Sequence, residues 1–223
     1  MKRALLGASA LAALLGFAVT AYAAVTVIPP SDYNAGCQPN GRALQGDSAN
    51  DTINGTARRD LLRGGGGDDS IAGRGARDCL FGERGDDAIN GGRGKDRIKG
   101  NAGKDALKGS RGNDRVDGGA GNDAVKGSGR NDRVDGGSEN DRLNGGRGND
   151  VLKGQPGKDR LRGGEGNDAL GGNRGSDRLR GGVGDDVITD VRGSNLIVCG
   201  SGFDTVVTNQ QSVTQGCEDV TRR

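Results

Sequence analysis

Residues 145–153 read GGRGNDVLK, residues 118–126 read GGAGNDAVK and residues 163–171 read GGEGNDALG. All three are copies of one nonapeptide, G-G-x-G-x-D-x-U-x with U aliphatic. The frame they share runs unbroken over residues 46–207 and holds eighteen copies. Position 8 is aliphatic in every copy, from Ile53, Leu62 and Ile71 to Ile188, Ile197 and Val206. Position 6 is Asp in all but one, where Asn195 stands. A short period kept this long marks a solenoid, in which each unit buries its apolar side chain only by stacking on its neighbours.

Each nonapeptide is expected to divide into a six-residue turn and a three-residue strand. Glycine at positions 1, 2 and 4 permits the positive φ angles of a tight turn. In x-U-x the middle side chain points inward and its neighbours outward, by strand alternation. Two nonapeptides make an 18-residue coil with one strand on each of two facing sheets. The expected fold is all-β, a right-handed parallel β-roll of about nine coils, roughly 40 Å long at about 4.7 Å per coil.

One aliphatic side chain per nine residues is a thin core for so much glycine-rich chain, whose ordering is costly. Stacking also sets position-6 aspartates one coil apart along each edge, where like charges repel. A hard divalent cation between turns answers both difficulties. Calcium suits it, because carboxylate and carbonyl oxygens can fill its six to eight positions.

Over residues 46–207 the chain resembles the RTX, or haemolysin-type, calcium-binding repeat family. The resemblance implies several calcium ions, each between consecutive turns on one edge, held by position-6 aspartates and backbone carbonyls. The matching residues are Asp69, Asp87, Asp96, Asp105, Asp114, Asp123, Asp132, Asp141, Asp150, Asp159, Asp168, Asp177 and Asp186. Some turns depart from the pattern. Position 5 is basic at Arg59, Arg77, Lys95, Lys104 and Lys158, and position 4 loses glycine at Ala49, Arg58, Ala76, Arg130 and Glu139. The turns around Asp51, Asp60 and Asp78 are therefore expected to bind weakly or not at all. The family is usually acidic and often exported through a C-terminal signal, and this chain differs on both counts.

Residues 1–23 read as a secretory signal: Lys2-Arg3, an apolar run over 4–19, and the small residues of Ala21-Tyr22-Ala23 before the cut. Its removal takes two of the 32 basic residues and none of the 30 acidic ones, leaving a formally neutral secreted chain. No membrane span is expected after cleavage. Neutrality, with three Phe and two Tyr, argues against nucleic acid as a partner. The absence of His excludes zinc proteases of the HExxH type and the Ser-His-Asp and Cys-His hydrolases. No segment outside the repeats is long enough for a catalytic domain, so a non-catalytic protein is expected.

The ends should differ from the middle. Residues 24–45 are read as an N-terminal cap, of which 37–45 (CQPNGRALQ) keep the spacing but carry Arg42 in the Asp position. Leu61, Cys79 and Phe81 fall on outward positions, and residues 25–28 are placed to fold back over them. Val187, Leu196, Val198 and Val207 make an outward patch at the other end, available to the tail, residues 208–223. Four cysteines in an exported chain suggest two disulfides, with Cys199–Cys217 and Cys37–Cys79 favoured over the other connectivities. Between the caps, outward positions are basic. Arg142, Arg160, Arg162, Arg178 and Arg180 fall on one sheet, Arg97, Arg115 and Arg133 on the other. Such rows keep the protein soluble, or bind an extracellular polyanion such as a cell-wall polymer or acidic polysaccharide.

Overall fold

The computed structural model describes residues 25–29 and 36–223; the expected signal over residues 1–23 lies outside them. The chain winds into two facing sheets of twelve and ten strands. From Ala43–Gln45 onward strands alternate between the sheets along the chain, and through the repeats each pairs in parallel with the strand eighteen residues on: Val116 faces Val134, and Leu161 faces Leu179. All position-8 side chains from Ile53 to Val206 lie between the sheets in one buried column of contacts. This is the expected parallel β-roll.

Three features of the coil differ from expectation. From Leu61–Gly66 to Arg178–Val183 the strands are six residues long, as in Ala88–Arg93 and Arg142–Arg147, and run through positions 7, 8, 9, 1, 2 and 3. Only positions 4–6 remain to turn the corner, because the ladder continues through positions 2 and 3, where Gly65 pairs with Glu83 and Gly66 with Arg84. Glycine at position 1 is not there for its φ. Positive φ is confined to positions 2 and 4 of the repeat, as at Gly119 (113°) and Gly121 (131°). Position 1 is glycine for space: a Cβ on Gly100 would lie 2.0 Å from Asp105 Oδ2 and 2.5 Å from the Gly118 carbonyl oxygen.

The roll also exceeds nine coils. Strand Ala43–Gln45 of the cap pairs in parallel with Leu61–Gly66. At the far end, Val213–Gln215 and Asp219–Arg222 continue the two sheets. There the period contracts: Leu196 faces Val213 and Thr205 faces Asp219, separations of 17 and 14 residues in place of 18.

The described residues of the N-terminal segment pack over the first coils. Strand Thr26–Val27 runs antiparallel to Ala43–Gln45, and Ile28 is buried with Cys37, Ala43, Leu61 and Cys79, Phe81 packing at the margin. Cys37 is bonded to Cys79 and Cys199 to Cys217. The C-terminal patch is not as expected. Val187 and Val207 lie on one sheet and Leu196 and Val198 on the other, so they form no single patch. The tail extends the sheets edgewise instead of folding over them, which leaves Val187 and Leu196 exposed.

Candidate metal centre

The position-6 aspartates form two columns, one at each edge of the roll, and all of them are buried despite their charge. One oxygen of each carboxylate is accounted for. The backbone N–H of every column member donates to Oδ1 of the residue eighteen positions later: Asp69 to Asp87, Asp87 to Asp105 and Asp105 to Asp123 in one column, and Asp78 to Asp96, Asp96 to Asp114 and Asp114 to Asp132 in the other, all at 2.7–2.9 Å. Each aspartate thus ties its coil to the one before. At the ends other groups close the columns. Ser212 Oγ takes the Asn195 N–H at 3.3 Å and Glu218 takes the Asp204 N–H at 3.0 Å, while at the start it is the donor that differs, the Arg42 N–H giving to Asp60 Oδ1.

The second oxygen has no such partner. From Asp69 to Asp204, Oδ2 of each position-6 aspartate is buried with no donor within reach. It leans into the space left open by the position-1 glycine, beside a carbonyl of the next coil. The point where a Cβ of Gly64 would sit is 2.1 Å from Asp69 Oδ2 and 2.6 Å from Gly82 O. Burial of a carboxylate with an unsatisfied oxygen disfavours its charged form. Burial pushes Asp78 and Asp132 up to about 8, Asp87, Asp96 and Asp141 to about 7, and Asp105, Asp114, Asp150, Asp159, Asp168 and Asp186 to about 6. The N–H from the preceding coil pulls each of them the other way. Asp69, Asp123 and Asp177 are raised by the same burial.

The donor set fits a hard cation. Its atoms are carboxylate and carbonyl oxygens, there is no imidazole, and the four thiols are committed to disulfides. Among the described residues no three acidic, His or Cys side chains come together, so an ion would draw carboxylates from successive coils and complete its shell with turn carbonyls. All thirteen expected ligands share this geometry. Asp78, expected to be weak, has the same unpartnered oxygen, and so does Asp204. Asp60 differs: Thr56, at position 2, donates its N–H to Oδ2 at 2.6 Å and its hydroxyl lies 3.1 Å away, so the carboxylate is satisfied within the protein.

The profile of the RTX calcium-binding nonapeptide repeat (4 copies) matches residues 45–80, 71–98, 90–125, 99–134, 135–170 and 171–206. The chain belongs to this RTX repeat family. No curated protein matches it in sequence. Within the RTX roll a second ladder, not anticipated from sequence, runs through the turns. Position-5 Asn and Asp accept from the following coil, Asn149 Oδ1 from the Asn167 N–H at 3.0 Å and Asn167 Oδ1 from the Asp185 N–H at 3.0 Å. Its donor pattern reverses that of the position-6 columns, and the basic residues at position 5 leave gaps in it.

On the outer surface of the ten-stranded sheet, Arg142, Arg160 and Arg178 stand in one row and Arg162 and Arg180 in the next. The second row continues through Asn144 to two further cations, Lys126 and Lys108, which the arginine pattern of the sequence does not include. It flanks an open groove of about 900 Å³ floored by Gly146, Gly164 and Gly182. On the other sheet the Arg97, Arg115 and Arg133 row is bordered by a Lys99–Asp117 ion pair at 3.1 Å.

Proposed function

We propose that this chain is a secreted calcium-binding β-roll with a non-catalytic structural or surface role, whose folding is completed by calcium outside the cell. The observation that supports it is the pair of buried carboxylate columns whose second oxygens find no donor in the protein. Left charged and unpaired, such groups oppose folding strongly. Bound calcium would supply the positive charge and the oxygen coordination they lack. The chain's own residues prepare the place. Oδ1 is anchored to the coil before, the position-1 glycine makes room for Oδ2, and the parallel ladder holds a carbonyl of the next coil beside it. Metal-binding free energy then becomes folding free energy, and two disulfides accord with an oxidising compartment. The deciding measurement is far-ultraviolet circular dichroism during calcium addition to EDTA-treated protein. A cooperative gain of β signal is expected, and a chain fully ordered without calcium and taking up none would overturn the reading.

The groove beside Lys108, Lys126, Arg162 and Arg180 favours a second reading, adhesion to an extracellular polyanion. Cations repeating once per coil present a regular charge array to a linear polymer. Retention on heparin that falls when Arg160, Arg162, Arg178 and Arg180 are changed to Ser is the expected result. Equal elution of both proteins would sink it.

A further inference from the structure

Every position-1 residue from Gly46 to Gly181 is glycine, until Asp190 takes that place in residues 190–198. The same repeat is the one in which position 6 is Asn195. The two departures are spatially complementary. Asn195 Oδ1 accepts the Asp177 N–H at 2.9 Å, so the column continues. Its amide nitrogen, however, turns onto the carbonyls of Asp190 and Arg192, at 3.4 and 3.0 Å. The unpartnered anionic oxygen found at every neighbouring turn is therefore missing here.

It reappears on the Asp190 side chain. Asp190 is 1% exposed, and neither of its carboxylate oxygens has a donor at full hydrogen-bond geometry, with the Arg192 N–H and the Asp177 carboxyl as its polar neighbours. The side chain reaches back one coil. The point where a Cβ of Gly172 would lie is 2.3 Å from Asp190 Oδ2 and 2.4 Å from Asp177 Oδ2. At Gly64 and Gly181 the matching second oxygen is a backbone carbonyl, of Gly82 and Cys199. Here the Asp190 carbonyl is taken by the Thr208 hydroxyl at 2.7 Å, and a carboxylate stands in its place. Two buried anionic oxygens thus converge where the rest of the roll offers one anion and one dipole.

We infer that Asp177 and Asp190 form a two-carboxylate divalent-cation site, different in composition from the sites of the repeat and created by moving the acid from position 6 to position 1. It rests on the calcium reading above. Doubling the local anionic charge makes this the tightest calcium site of the roll, the one that fills first and seeds the C-terminal coils.

The test is calorimetric titration of calcium into the full oxidised chain, unsubstituted and as Asp190→Asn and Asp190→Gly. The second variant restores the residue that every preceding repeat carries, so it keeps the roll foldable if the first does not. One bound ion fewer and loss of the tightest class, at least tenfold in affinity, is expected for both. Retention of the full ion count and the tightest class in both variants overturns the site while the calcium reading stands. So does a gain in metal-free stability with no change in uptake, which identifies a shared proton in place of a cation. No calcium uptake by the unsubstituted chain overturns the calcium reading itself.

Discussion

The backbone N–H of Asp132 donates to Asp150 Oδ1 at 2.7 Å, one full coil away, while Asp150 Oδ2 meets no donor. One side chain therefore both joins two coils and leaves an anionic oxygen stranded between them. Repeated along two columns, the arrangement makes cohesion and electrostatic cost inseparable in this roll. Removing aspartate would cut the coil-to-coil bond, and keeping it charged requires a cation. The carboxamide is the substitution that separates the two effects.

Asp132→Asn keeps an oxygen for the Asp114 N–H and places an amide nitrogen near the Gly145 carbonyl, which lies 2.7 Å from the same Gly127 Cβ point as Asp132 Oδ2 at 2.4 Å. Asn195 already makes bonds of this kind to turn carbonyls. Without calcium the variant should be more stable by about 1–3 kcal/mol, the cost of an unsatisfied buried group. With calcium it should need a higher concentration to fold. Thermal melts with and without the ion give both signs, and a loss of metal-free stability would contradict the argument.

The pH dependence follows from the raised values. A carboxyl whose folded value lies near 6 to 8 against an ordinary 3.8 holds more protons folded than unfolded between those limits. Stability of the metal-free chain therefore falls as pH rises through about 6 to 8 and is recovered on acidification, fully below the unfolded value. Calcium uptake has the opposite slope, because protons compete for the same oxygens. Circular dichroism from pH 8 to pH 4 in EDTA should show β structure gained with acid alone. The calcium midpoint should meanwhile move to higher concentration.

Much of this was legible in the period. Alternation around position 8 placed the core, the 18-residue coil placed the aspartates in columns, and the odd apolar residues Leu61 and Cys79 announced a covering segment. What stayed hidden has physical causes. Periodicity shows that position 1 is glycine, but not whether φ or space demands it, and only the approach of Asp105 Oδ2 to Gly100 separates the two. The tail strands escaped because their coils shorten to 17 and 14 residues, which breaks the frame while preserving the pairing. The repeat gives no sign of Asp190's place, because the column it faces belongs to Asp177, thirteen residues earlier in sequence and adjacent only after coiling.

That distinction between space and φ can be measured. Gly100→Ala puts a methyl against Asp105 Oδ2 and the Gly118 carbonyl without any φ penalty, and overpacking of this sort costs about 1–3 kcal/mol. Arg130→Gly works in the other direction: Arg130 holds φ at 74°, and relief of that conformation is worth about 1 kcal/mol. Calcium-saturated urea melts of the two variants should shift oppositely. Equal tolerance of Ala at position 1 would mean that the carboxylate is free to move aside.

The two disulfides should differ in reach as well as size. Chain-entropy loss scales with the loop closed, about 4 kcal/mol for the 42-residue Cys37–Cys79 span and about 3 kcal/mol for the 18-residue Cys199–Cys217 span. In a solenoid, stability is carried between nearest neighbours, so damage at an end frays inward and does not spread evenly. Cys37 also holds the cap over Leu61, beside Ile28 and Phe81. Cys37→Ser with Cys79→Ser should therefore raise amide exchange in Ala43–Gln45 and Thr52–Asn54, with little change in Arg142–Arg147. The matching pair at Cys199 and Cys217 should loosen Leu196–Ser201 and the tail strands alone. A uniform rise along the roll in either case would show that the coils unfold as one unit and that the caps are not local devices.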